Sequence, residues 1–300
     1  MMEQSSTYRS TIDDNVIYPM ETRERASAAF PAGQGDMSLI TVDNVIFHVH
    51  RAVLRHSSPV FETVLEQGRD GKGGSSPLKL KFEAEKTTLD HLLMFAYPNK
   101  ISPSIQDISV LAALFRAAKR YEMDGVLHQL RLCLTELTIV DEAIQPPLYI
   151  RAPLAVLAIS YAFDCTLEAR LALRECVKGN LEEHIAGAAG FDVPAELFCE
   201  IVRLRRLRMD WFTSTVNEIP WNTSCSHCIQ KQGEWRVQLI RELHTCMQFE
   251  TLKKSFDTAI SGKCNYGHQV PNFTQADLER WKANTTRIEE TLPPLPHISR

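Results

Sequence analysis

The sequence has no apolar run long enough to cross a bilayer. Its most apolar stretch, Pro153 to Phe163, falls well short of the roughly 20 residues a spanning helix needs. The opening MMEQSSTYRSTIDDNVIYPMETRERASAAF lacks the apolar core of a secretory signal. Both absences predict a reducing intracellular setting, cytoplasmic or nuclear, where the Asn-x-Ser/Thr matches at Asn222, Asn272 and Asn284 carry no sugar. Excess positive charge is missing too. A formal net charge of −4 and a pI of about 6.2 give no global pull toward nucleic acid or acidic lipid. There is no phosphate-binding glycine loop, no internal repeat, and no nucleophile, base and orienting residue that can be assembled, so an enzyme reading has little support. Cysteines are scattered rather than framed. Cys133, Cys165, Cys176 and Cys199 fall in apolar helical stretches, where small buried thiols are expected.

What is present suffices for about two compact domains without disulfide staples, since 44% of the residues are hydrophobic. Residues 1–34 are polar and end near Pro-Ala-Gly-Gln-Gly, which predicts a mostly disordered tail. From Asp36 the pattern tightens. MSLITV and VIFHV flank Asp43-Asn44 and predict a β-hairpin. Ser58-Pro59 offers a cap and a first helical proline ahead of Phe61, Val64 and Leu65. LKLKF alternates as a third strand. Thr87-x-x-Asp90 and Ser104-x-x-Asp107 read as capping boxes opening two helices, and a third carries Met123, Val126, Leu130 and Leu134. The class is α+β: a small three-stranded sheet capped by helices, over residues 35–137. Past Pro146-Pro147 the chain reads as wholly helical. An extension over 148–212 buries Leu154, Leu157, Leu167, Leu171 and Val177. A Cys/His-containing helical segment follows over 213–270, and a proline-containing tail over 271–300.

Residues 44–65, NVIFHVHRAVLRHSSPVFETVL, hold His48, His50 and His56. On a strand His48 and His50 share one face, opposite Val45, Phe47 and Val49, while His56 falls in the following turn. A zinc site needs three or four protein ligands, and no Asp, Glu or Cys stands close enough to complete this one.

FHVHRAVLRHSSPVFETVL resembles the core of the BTB/POZ domain, in which a strand ending in His-Arg or His-Lys leads to an aliphatic pair and then Ser-x-x-Phe. The matching positions are Asp36, Phe47, His50, Arg51, Val53, Leu54, Ser58 and Phe61. LDHLLMFAYP and LAALFRAAKRYEMDGVLHQLRLCL are similar to that domain's downstream helices. Tyr97-Pro98 resembles the version abundant in mushroom-forming basidiomycete fungi, and residues 148–212 resemble the BACK-like helices that follow it. The resemblance implies a non-catalytic adaptor that binds proteins, itself or a cullin scaffold, and neither nucleic acid nor membrane. It places Asp36 and Arg51 in a dimer-side pocket; as an ordinary surface pair they would contribute about 0–1 kcal/mol. It makes His50 a hydrogen-bonded structural residue. Animal dimers add an N-terminal helix and strand, for which this chain offers only Ile12, Val16, Ile17 and Tyr18 as anchors. The nearest approach to the hydrophobic-x-Glu element of cullin-binding relatives is Ile105-x-Asp107.

Cys225-x-x-Cys228 and Cys264-x-x-x-His268 match a tetrahedral zinc site in ligand type and local spacing, with Trp221 nearby, and would make the protein a zinc-binding regulator. Unliganded thiols are the other reading. An apolar stripe over residues 234–260 would separate the two pairs by about 40 Å as one straight helix. Zinc therefore requires the chain to double back near Cys246–Thr251. RLRRLR at 203–208 reads as a solvated helix face, with Ile201, Leu204 and Leu207 on the buried side, rather than as a nucleic-acid patch. Pro293-x-x-Pro296 offers a weak match to a proline-groove ligand.

Overall fold

The computed structural model describes residues 25–67, 78–98, 100–140, 142–217 and 225–260, with four more positions between 276 and 283. The hairpin forms where the alternation requires it. β2 (Met37–Ile40) and β3 (Val45–Val49) pair antiparallel from Met37↔Val49 to Ile40↔Ile46. Asn44 takes the left-handed turn position at φ 58°, which a short polar side chain tolerates best after glycine. Thr41 Oγ1 locks the turn, accepting from Val45 N at 3.0 Å and donating to Val45 O at 3.2 Å. β4 (Leu78–Lys81) then adds parallel to β2.

A further strand lies inside the stretch predicted to be a tail. β1 (Arg25–Ala26) runs parallel to β3, giving the order β1-β3-β2-β4. Ser27 N donates to Ile46 O, and His48 N donates to Phe30 O, so Phe30 enters the core at 3% exposure. The tail expected over residues 1–34 thus gives way to folded chain at Arg25. The segment was hidden because it is attached through its backbone and buries one large side chain.

The first domain's helices are α1 (Arg51–Ser57), α2 (Pro59–Gln67), α3 (Lys86–Ala96), α4 (Ile108–Arg120) and α5 (Asp124–Thr135). His56, expected in a turn, lies in the last turn of α1. Neither capping box forms as the spacing suggests. Asp107 itself caps α4, accepting from Ser109 N at 2.7 Å. At α3, Asp43 reaches over from the hairpin turn and accepts from Lys86 N at 2.9 Å, while Asp90 pairs with Lys86 Nζ.

Past Pro147 the described elements are all helices, as expected, but the link from the first domain is not irregular chain. β5 (Thr138–Val140) and β6 (Ala143–Gln145) make a second hairpin before α6 (Leu148–Arg151), α7 (Pro153–Ala162), α8 (Thr166–Lys178), α9 (Leu181–Gly187) and α10 (Ala195–Asn217). Leu167 and Leu207, both assigned to buried faces, are exposed, and so is Cys199. The apolar stripe over 234–260 breaks at Cys246–Gln248 into α11 (Ser226–Thr245) and α12 (Phe249–Ile260), which fold back on each other; Trp235 Nε1 donates to Ser255 O at 3.1 Å.

Two cores result. The larger runs without interruption from Phe30 to Leu204 and takes in the sheet, α1–α5 and α6–α10. The smaller holds Phe212, Val216, Leu239, Leu243, Met247 and Leu252. α5 is also tied to α8 by a bidentate ion pair, Arg131 to Glu168 at 2.9 and 3.1 Å, in which the Glu168 side chain is only 9% exposed.

Candidate interaction site

The motif residues gather around the start of α1 and α2. Asp36 stands just ahead of β2 and points at α1, where Oδ1 accepts from Arg51 N at 2.7 Å and supplies the anion a helix N-terminus favours. Arg51 Nε stands 3.8 Å from Asp36 Oδ2, a loose and largely exposed pair, and Nη2 donates to Asp36 O at 3.4 Å. Gly35 permits this approach, since a Cβ there would lie 2.4 Å from Val49 O. His50 N donates to Tyr97 Oη at 2.8 Å, and the two rings' polar atoms Nδ1 and Oη lie 3.3 Å apart. Burial holds the Tyr97 phenol above its ordinary range, so it remains protonated. Tyr97 also packs edge-on against Phe30, over which Lys100 Nζ sits at 5.2 Å.

Ser58 and Phe61 meet a residue that the sequence pattern did not single out. Ser58 Oγ accepts from Phe61 N at 3.1 Å and donates to the carbonyl of Tyr121. The Tyr121 ring is sandwiched between Phe61 at 4.9 Å and Phe82 at 4.7 Å, so Ser-x-x-Phe is a clamp on the end of α4. Phe47 is fully buried on β3, its ring centroid 6.0 Å from that of Phe30. His48 shares its hydrogen bond with Ser38 across the hairpin, and no group of three metal-binding side chains occurs among the described residues.

Of the Ile105-x-Asp107 pair, Ile105 is buried and Asp107 is engaged as a cap; in the same loop Ile101 is 91% exposed. Between α4, α5 and the α7–α8 turn lies a cavity of about 220 Å³, with buried Phe115 and Cys165 inside and Lys119 and His128 at its exposed edge. That volume suits one side chain and falls below the usual range for small-molecule sites. Burial pushes the Cys165 thiol up to about 11, which favours the neutral thiol at physiological pH.

Of the Cys/His set, Cys225 and the buried Cys228 flank the start of α11, whereas Cys264 and His268 lie outside the described residues, as does Pro293-x-x-Pro296. The neighbouring His227 has a buried Nε2 without a hydrogen-bond partner. RLRRLR is not the solvated face its spacing predicts. Arg203 pairs with Glu200, but Arg205 and Arg208 turn inward onto backbone carbonyls. Among the described residues no helix is long and apolar enough to cross a membrane.

No curated protein matches the chain. Strands β2–β4, the Ser58–Tyr121 clamp and helices α1–α5 fall within the segment that a family model recognises. Residues 34–136, about a third of the chain, match the model of the BTB/POZ domain, and the protein carries that domain.

Proposed function

We propose that the protein is a non-catalytic adaptor whose BTB/POZ domain joins it to a second copy of itself or to another protein. BTB/POZ domains are in general interaction modules rather than catalysts, and the match over residues 34–136 is the observation that carries this reading. The motif residues are engaged in architecture, and apolar side chains at the domain's border are left for contact. Ile139 and Ile144 face each other across β5 and β6 at 71% and 70% exposure. Size-exclusion chromatography with light scattering over a wide concentration range tests the reading, with the amino-terminal domain of a cullin added in a second series. A mass above one chain is expected. A strict monomer that also ignores cullin and recovers no cellular protein would overturn it.

Zinc is a second reading, favoured by one observation. The break at Cys246–Gln248 turns α12 back along α11, bringing its end toward the Cys228 end of the hairpin and removing the separation that a single straight helix would impose. Cys225, Cys228, Cys264 and His268 would then hold a structural zinc in a regulatory element. Metal analysis of the purified chain should give one zinc, lost in Cys225→Ala. A metal-free wild-type chain would discard the site.

A further inference from the structure

α10 passes through both cores. Its first half buries Leu197, Ile201 and Leu204 in the larger one, and its second half buries Phe212 and Val216 in the smaller. Between them is a polar seam. Arg205 Nη1 donates to the carbonyls of Cys176, Val177 and Gly179 at 3.1, 3.1 and 2.6 Å, at the end of α8. Its Nη2 donates to His244 O at 3.3 Å, in the last turn of α11. Arg208, 4% exposed, donates from Nε to Met247 O at 2.8 Å, and Met247 N donates to Lys178 O at 2.8 Å. Arg205 therefore complements the negative ends of α8 and α11, Arg208 holds the linker between α11 and α12, and together they bind α8 to the α11–α12 hairpin.

His184 sits on that seam. One turn into α9 its ring folds back onto Gly179, so closely that a Cβ on Gly179 would stand 2.3 Å from Nε2. Gly179 has φ −81° and ψ −174°, which any residue adopts, so its missing side chain makes room for the imidazole and does not serve the backbone. Nε2 is buried without a hydrogen-bond partner, and the Arg205 guanidinium lies against the same glycine.

We propose that His184 makes this seam an acid-responsive latch, which loosens the α11–α12 hairpin from α8 and α9 when the ring gains a proton while the BTB/POZ domain stays folded. The surrounding groups set the sign. α8 contributes Glu175, engaged with Lys178 at 3.0 Å, and the thiol of Cys176; α9 contributes Glu183, engaged with Asn180 at 3.0 Å. α10 contributes Arg205 with Arg208 beside it, and the hairpin contributes Cys246 and the His244 carbonyl. Burial holds His184 below its ordinary range. Arg205 adds to that effect, and the nearby Glu175 backbone and the two carboxylates, which pull the other way, do not overcome it. A depressed folded-state value means stability is intact above the unfolded pKa near about 6.5 and is lost as pH falls below it through the folded value. A displaced Gly179 takes Lys178 O and the Arg205 contacts with it, so the loss falls on the hairpin.

Hydrogen exchange of the full chain at about pH 7.5 and about pH 5.5, corrected for intrinsic rates, tests this. Peptides from 226–260 should open more at acid pH, by up to about tenfold for each unit of depression, while those from 111–134 hold. His184→Gln should abolish the difference, and His184→Phe, which refills the volume without a titrating nitrogen, should do the same. A hairpin equally protected at both pH values, or variants that respond like the wild type, would overturn the latch.

Discussion

At the scale of single residues, the BTB/POZ motif is a set of hydrogen-bond assignments with measurable consequences. Ser58→Ala removes both the cap on Phe61 N and the donor to Tyr121 O in a fully buried position. The expected loss is about 1–3 kcal/mol in chemical denaturation, with little change in secondary structure. Ser58→Thr keeps the hydroxyl and should recover part of it. Gly35→Ala puts a methyl group onto the Val49 backbone, where no flexible side chain can give way, and should cost about 1–3 kcal/mol by the same measurement. A neutral outcome would mean that Asp36 reaches the start of α1 by some other route. Ser58, Phe61 and His50 were legible from the sequence because their spacing is local. Tyr121 was not, since nothing in the sequence marks a partner 63 residues away.

At the scale of elements, periodicity identified most helices and the hairpin, and it failed where ends are determined by distant groups. α3 begins at Lys86 because Asp43 arrives from the β2–β3 turn, and α1 begins at Arg51 because Asp36 arrives from the loop ahead of β2. Local spacing favoured Thr87 and Ser104 for want of that information. The arginines of α10 misled for a related reason. Their helical distribution looks like a solvated face until the carbonyl ends of α8 and α11 are brought beside it. The Arg131–Glu168 bridge between α5 and α8 was equally invisible. Arg131→Leu leaves the Glu168 carboxylate nearly buried without its partner. A loss of about 1–3 kcal/mol is expected, toward the lower end because Arg131 is itself partly exposed. Pairing it with Glu168→Leu in a double-mutant cycle should recover much of that loss.

At the scale of the whole molecule, the expected division into residues 35–137 and 148–212 does not correspond to two cores. Phe115 of α4 packs on Phe163 after α7, at 5.2 Å between ring centroids, within one continuous apolar cluster. Ending the chain at residue 137 should therefore lower the melting temperature sharply and expose a surface that promotes aggregation. A shortened chain as stable as the full one would show that the two halves stand alone. The Cys/His segment was the least legible part, because a stripe of apolar residues is the same for one long helix as for two short ones folded together.

The strap at Arg25–Ala26 has a consequence for how partners can approach. By lying along β3 it fills the outer lane on that side of the sheet, and the opposite lane, beside β4, is fringed by the exposed Lys79 and Lys81. A foreign strand finds one margin occupied and the other guarded by charge. Runaway strand-by-strand stacking through this sheet is thereby disfavoured.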